Sequence, residues 1–171
     1  KASGIVTDKK LAMAQGVDKN IGGAYKLSVP DNIPVGTKEL SSEASSYSND
    51  YESAGNKYGV DPGVLAAVAM QESGGDAKCG YPGQPAWGLM QIENTLRTGD
   101  SSEFGKFCTD NYNTYSGDGE EATDPSKAVP FAASRFAKNL ETFDGDYLKA
   151  IQAYNFSEYS LKPLIKAFGD D

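Results

Sequence analysis

Asp61-Pro62-Gly63-Val64-Leu65-Ala66-Ala67-Val68-Ala69-Met70-Gln71-Glu72-Ser73-Gly74-Gly75 is the stretch that decides the fold. Asp61 followed by Pro62 is a helix start: the short acidic side chain caps free backbone N–H groups, and proline fits the first helical position, where its missing N–H is not needed. Val64 to Met70 are seven consecutive apolar residues, the longest such run in the chain. A helix apolar all round must be buried on every side. Gly74-Gly75 supply the stop. The stretch therefore predicts a central buried helix with one acidic residue, Glu72, at its carboxyl end.

Outward from this helix the pattern stays helical. Tyr47, Tyr51, Ala54 and Tyr58 recur at helical spacing and are expected to pack in the core rather than to form a sugar-stacking stripe. A short helix is expected from about Ser101 to Asp110. Asp124-Pro125 repeats the start signal and is followed by Val129, Ala132, Phe136, Leu140 and Phe143. Asp146 is expected to cap a helix carrying Leu148, Ile151 and Tyr154 or Asn155. Leu161, Leu164, Ile165 and Phe168 form a last stripe. Alternating strand patterns are nearly absent, so the fold class is mainly α. Residues 1–40, with scattered glycines, Pro30 and Pro34, read as an irregular N-terminal arm or linker, and 41–171 as the main domain.

The chain has 171 residues, a formal net charge of −8 and no histidine. Without imidazole there is no Ser-His-Asp or Cys-His hydrolase and no His-ligated zinc enzyme. Acid–base chemistry near neutral pH then falls to a carboxyl group of shifted pKa. The negative charge repels phosphate backbones, so nucleic acid is not an expected partner, and it gives no electrostatic docking on an anionic wall or lipid. Seven apolar residues do not cross a membrane, and no cofactor is expected. The polar loop holding Asp118, Glu120, Glu121 and Asp124 lacks EF-hand spacing and reads as solvated rather than as a metal site. Cys79 and Cys108 are either one disulfide or two buried thiols. Their polar, Gly- and Asp-rich flanks favour the bridge, and with it an oxidising compartment.

Glu72 is the candidate acid. Apolar surroundings, the partial negative charge of a helix carboxyl end and the absence of nearby basic residues in sequence before Lys78 all favour its protonated form. A carboxyl group held protonated can donate to a leaving glycosidic oxygen.

Glu72-Ser73 at a helix end, Gly88-Leu89-Met90-Gln91 after a loop and Ala153-Tyr154-Asn155 on a late helix occur in one order. In this respect the chain resembles the goose-type lysozyme and lytic transglycosylase superfamily, whose enzymes cut the glycan strands of bacterial cell walls. The resemblance spans about residues 55–165. It implies a lysozyme-like helical domain, peptidoglycan glycan strands as the partner, and Glu72 as an acid that then turns base. It also implies a substrate-binding set: Ser73 shaping the helix end, Met90 and Gln91 lining a sugar groove, Tyr154 near Glu72 or the sugar being cleaved, and Asn155 fixing that turn. Many members carry a serine in the loop between the first two motifs. Here that loop is Cys79-Gly80-Tyr81-Pro82-Gly83, and Tyr81 is expected to replace the contact by stacking.

The superfamily splits by what attacks the cleaved sugar. A lytic transglycosylase needs one carboxylate and closes a 1,6-anhydro ring; a muramidase needs a placed water and usually a second carboxylate. Asp76 is the first candidate for that group and Glu93 the second, and the Gly-Leu-Met-Gln segment favours the transglycosylase. A non-catalytic glycan-binding module and a helical adaptor are the competing classes. The expected location is extracellular, at the cell wall, with a virion or secretion apparatus as further settings. The chain begins at Lys1, and the acidic charge points to a larger protein with a targeting or second catalytic domain.

Overall fold

The structure, a computed structural model, describes residues 40–156. The N-terminal arm and the stripe from Leu161 to Phe168 lie outside the described residues. Residues 40–133 form one compact unit, and 134–156 belong to a second.

In the first unit a single turn of helix, α1 (Ser42–Ser45), precedes α2 (Ser48–Tyr58) and α3 (Pro62–Ser73). The Asp61 carboxylate accepts the Gly63 N–H at 2.8 Å, the expected cap, worth about 1 kcal/mol. Along α3, Val64, Leu65, Ala66, Val68 and Ala69 are buried, while Ala67 and Met70 are half-buried on the remaining side. Each buried Val or Leu stabilises the fold by roughly 1.5–3 kcal/mol. Of the tyrosine stripe, Tyr51 and Ala54 are core residues, as expected, and Tyr47 and Tyr58 are half-exposed. Gly74 ends α3 in the left-handed conformation (φ 67°), its N–H bonded to the Met70 carbonyl at 3.1 Å. Ser41 Oγ donates to the Gly74 carbonyl at 2.9 Å and accepts the Ala44 N–H, so α1 is tied to the end of α3.

Two two-residue strands follow, β1 (Ala86–Trp87) and β2 (Ile92–Glu93), paired antiparallel with Trp87 opposite Ile92. Then come α4 (Asn94–Arg97) and α5 (Glu103–Tyr112), the latter capped by Ser102 and displaced about two residues from its expected start. A 3-10 turn at Glu120–Thr123 leads into α6 (Pro125–Thr142). Asp124 caps α6 by accepting the Ser126 N–H at 3.0 Å. Pro130 lies inside α6 and cannot donate to the Ser126 carbonyl one turn back; the Tyr112 hydroxyl donates to it instead, at 2.9 Å. The core gathers Leu65, Leu89, Met90, Phe104, Cys108, Val129 and Phe131, with the Phe104 and Phe131 rings edge to face at 4.9 Å.

The second unit holds the end of α6 and α7 (Tyr147–Phe156). Asp146 caps α7 through the Lys149 N–H. The buried face of α7 is Tyr147, Ala150 and Ala153; Leu148 and Ile151 are exposed. This face is set one residue away from the expected stripe because the Tyr147 ring packs on Phe136, with centroids 6.0 Å apart.

Both cysteines are free thiols, which corrects the expected bridge. Cys108 faces the core from α5, and burial pushes its thiol up to about 12. Cys79 stands in a loop, with its carbonyl held by Gly88 and Gln91.

Candidate active site

Glu72 occupies the last turn of α3 and is half-buried. Desolvation raises its pKa above the ordinary glutamate value, and the negative charge of Glu93 raises it further. Among the described residues no hydrogen-bond donor or cation contacts its carboxyl group, so nothing there holds the charged form.

Ser73 fastens the helix end to the next motif. Its hydroxyl lies 3.0 Å from the Ala69 carbonyl and 2.9 Å from that of Leu89, and it accepts the Gly75 N–H. Gly88-Leu89-Met90-Gln91 is the four-residue tip joining β1 to β2, a hairpin folded inward. Gly88 has φ 81°, and a Cβ there would run into the Ala122 carbonyl, so only glycine fits. Gln91 also takes a left-handed conformation (φ 46°) and closes the tip: its Nε2 donates to the Gly88 carbonyl at 3.0 Å and to the Cys79 carbonyl at 3.2 Å. Met90 has no exposed surface. It is part of the core and does not line a groove, which corrects that expectation.

Asp76 follows the helix stop and does not share a helical face with Glu72. It is exposed, and its carboxylate accepts the Lys78 N–H at 2.8 Å. Glu93, at the end of β2, is the carboxylate whose charge reaches Glu72. Tyr81 is exposed in the loop before the hairpin. Tyr154 and Asn155 belong to the second unit, where the Tyr154 ring lies 6.3 Å from that of Phe136.

Arg97 is the residue that sequence reasoning missed. Its guanidinium is buried over the Trp87 indole, 3.2 Å from the ring centroid, and donates to the Asp118 carbonyl and to Asn94 Oδ1. Burial lowers its pKa, and the Asp118 charge opposes the shift. The one available signal was that Arg97 is the only cation between Lys78 and Lys106. Among the described residues no group of Asp, Glu and Cys could hold a metal ion, and no helix is long and apolar enough to cross a membrane.

A mainly helical domain with a shielded carboxyl group at the end of its buried helix is the build of the lysozyme-like class. The family model for the Transglycosylase SLT domain matches residues 49–170. The chain belongs to this family, whose domains bind the glycan strands of peptidoglycan and whose enzymes cleave glycosidic bonds as transglycosylases.

Proposed function

We propose that this chain is a peptidoglycan lytic transglycosylase acting on the β-1,4 bond between N-acetylmuramic acid and N-acetylglucosamine. The observation that carries the reading is the Glu72 carboxyl group, raised by burial and left without a cation among the described residues. Protonated Glu72 donates to the glycosidic oxygen as the bond breaks. The resulting carboxylate then takes the proton of the muramic acid 6-hydroxyl, whose oxygen closes the 1,6-anhydro ring. A pKa above the ordinary carboxylate range suits both steps, because the group must be protonated before the first and basic enough for the second. Gln91, with its amide nitrogen already engaged by two carbonyls, offers Oε1 to a sugar donor; Tyr154 and Asn155 keep the binding roles that the resemblance implies. The setting is the cell wall, with the domain brought there by other parts of a larger protein.

Hydrolysis of the same bond is the second reading, favoured by Glu93. Its charge acts on Glu72, whereas the Asp76 carboxylate is turned to its own loop. In that reading Glu93 places the attacking water.

Digestion of purified peptidoglycan, followed by weighing the products, separates these readings. Anhydro ends, lighter than reducing ends by one water, are expected from the wild type and not from Glu72→Gln. Reducing ends that disappear in Glu93→Gln support the muramidase. No products from the wild type, with glycan binding retained, would establish the non-catalytic module.

A further inference from the structure

Tyr81 is 38 % exposed, yet its ring is held at both ends. One side stands perpendicular to the Trp87 indole, with centroids 4.8 Å apart and an interplanar angle of 88°. At the far end the hydroxyl donates to Glu120 Oε1 at 3.4 Å. The Glu120 charge raises the phenol pKa, so the hydroxyl remains a donor across the neutral range. Trp87 is itself fixed, by Nε1 donating to the Gln84 carbonyl at 2.9 Å and by the Arg97 guanidinium over its face.

The loop is equally tied. The Cys79 carbonyl accepts from the Gly88 N–H and from Gln91, and the Gln84 N–H donates to the Gly80 carbonyl. The same hairpin tip receives Ser73, the neighbour of Glu72, through the Leu89 carbonyl. The hairpin tip is thus bonded both to the end of α3, next to the candidate acid, and to the loop that offers an aromatic ring to solvent. Pyranose rings present faces of C–H groups, and a fixed aromatic face takes them with little entropy loss.

We infer that Tyr81 is a saccharide-stacking subsite for an N-acetylhexosamine ring of the glycan strand, and that Glu120 and Trp87 are its positioning residues. The inference rests on the glycan-cleaving reading above.

The test uses calorimetric titration of a soluble N-acetylglucosamine trisaccharide into the Glu72→Gln protein, with Trp87, the only tryptophan, as a fluorescent reporter beside the ring. Saturable binding with a change in Trp87 emission is expected. Tyr81→Ala in this background should weaken binding about tenfold, the loss of one aromatic contact. Tyr81→Phe, which keeps the ring and loses the hydroxyl, should weaken it only about twofold to fourfold, as should Glu120→Ala. Glu120→Ala should add nothing to Tyr81→Phe, because both remove one interaction. With Glu72 intact, Tyr81→Ala should raise KM and leave kcat within about twofold. No saturable binding by the parent, equal affinity of Tyr81→Ala and parent, or additive effects of Glu120→Ala and Tyr81→Phe would overturn the inference. Failure of the underlying reading shows separately, as cleavage by Glu72→Gln or no cleavage by the wild type.

Discussion

Arg97 places a buried charge under the hairpin, and its replacement has a magnitude that the structure sets. The guanidinium loses a stack on the indole worth about 1–2 kcal/mol at a desolvated site. It also loses its bonds to the Asp118 carbonyl and Asn94 Oδ1, each about 1.5 kcal/mol for a charged donor. Against this stands the cost of burying the charge, with Nε lacking a partner among the described residues. Arg97→Ala adds a cavity, and the net loss is about 3 kcal/mol, a fall in Tm of about 10 °C. Arg97→Met fills the space without the charge and should cost only about 1 kcal/mol, since a well-packed apolar side chain replaces a buried ion with little penalty. Arg97→Lys keeps the charge but neither the stack nor the fork, and should fall near Arg97→Ala. Urea unfolding followed by fluorescence at Trp87 measures all three. A Lys variant as stable as the wild type would refute the reasoning, because then only charge, and not the guanidinium plane, matters.

Gly88→Ala puts a methyl group against the Ala122 carbonyl at a positive φ, so it should cost about 3 kcal/mol and abolish glycan cleavage; thermal melts and a digestion assay check both. A thiol reagent at pH 8 should label half-exposed Cys79 roughly a hundredfold faster than buried Cys108, which should react only on unfolding; a protein with no titratable thiol before reduction would contradict the free cysteines. Glu72→Gln should stabilise the fold. The folded pKa of Glu72 lies above the unfolded value of about 4.3, so the native state binds more protons between the two, and stability falls as pH rises through that window. Glutamine removes this penalty, so its gain in stability over the wild type should be present at pH 7 and disappear below about pH 4. Melting the two proteins at several pH values checks the sign.

The buried helix was legible because its signals are local: a cap at Asp61, an unbroken apolar run and a glycine stop. The same local chemistry made the caps at Asp124 and Asp146 readable. The hairpin around Gly88-Leu89-Met90-Gln91 was not, since two-residue strands are too short to show alternation. The place of Met90 in the core was hidden for a related reason: a methionine within a motif reads alike whether it faces a groove or the interior. Arg97 is defined by a stack on a residue ten positions away and by a carbonyl in a distant loop, and no local pattern encodes either. Glu93 was visible as a carboxylate after the motif, but its effect on Glu72 comes from the hairpin, which brings the end of β2 toward the end of α3.

Burial and the Glu93 charge hold the Glu72 carboxyl group protonated above the pH at which an ordinary glutamate ionises. Titration of its carboxyl carbon by NMR, assigned by the signal missing from Glu72→Gln, measures this directly. The account predicts a midpoint raised above about 4.3 that moves downward when Glu93→Gln removes the neighbouring charge. A midpoint at or below 4.3, unmoved by that substitution, would contradict it.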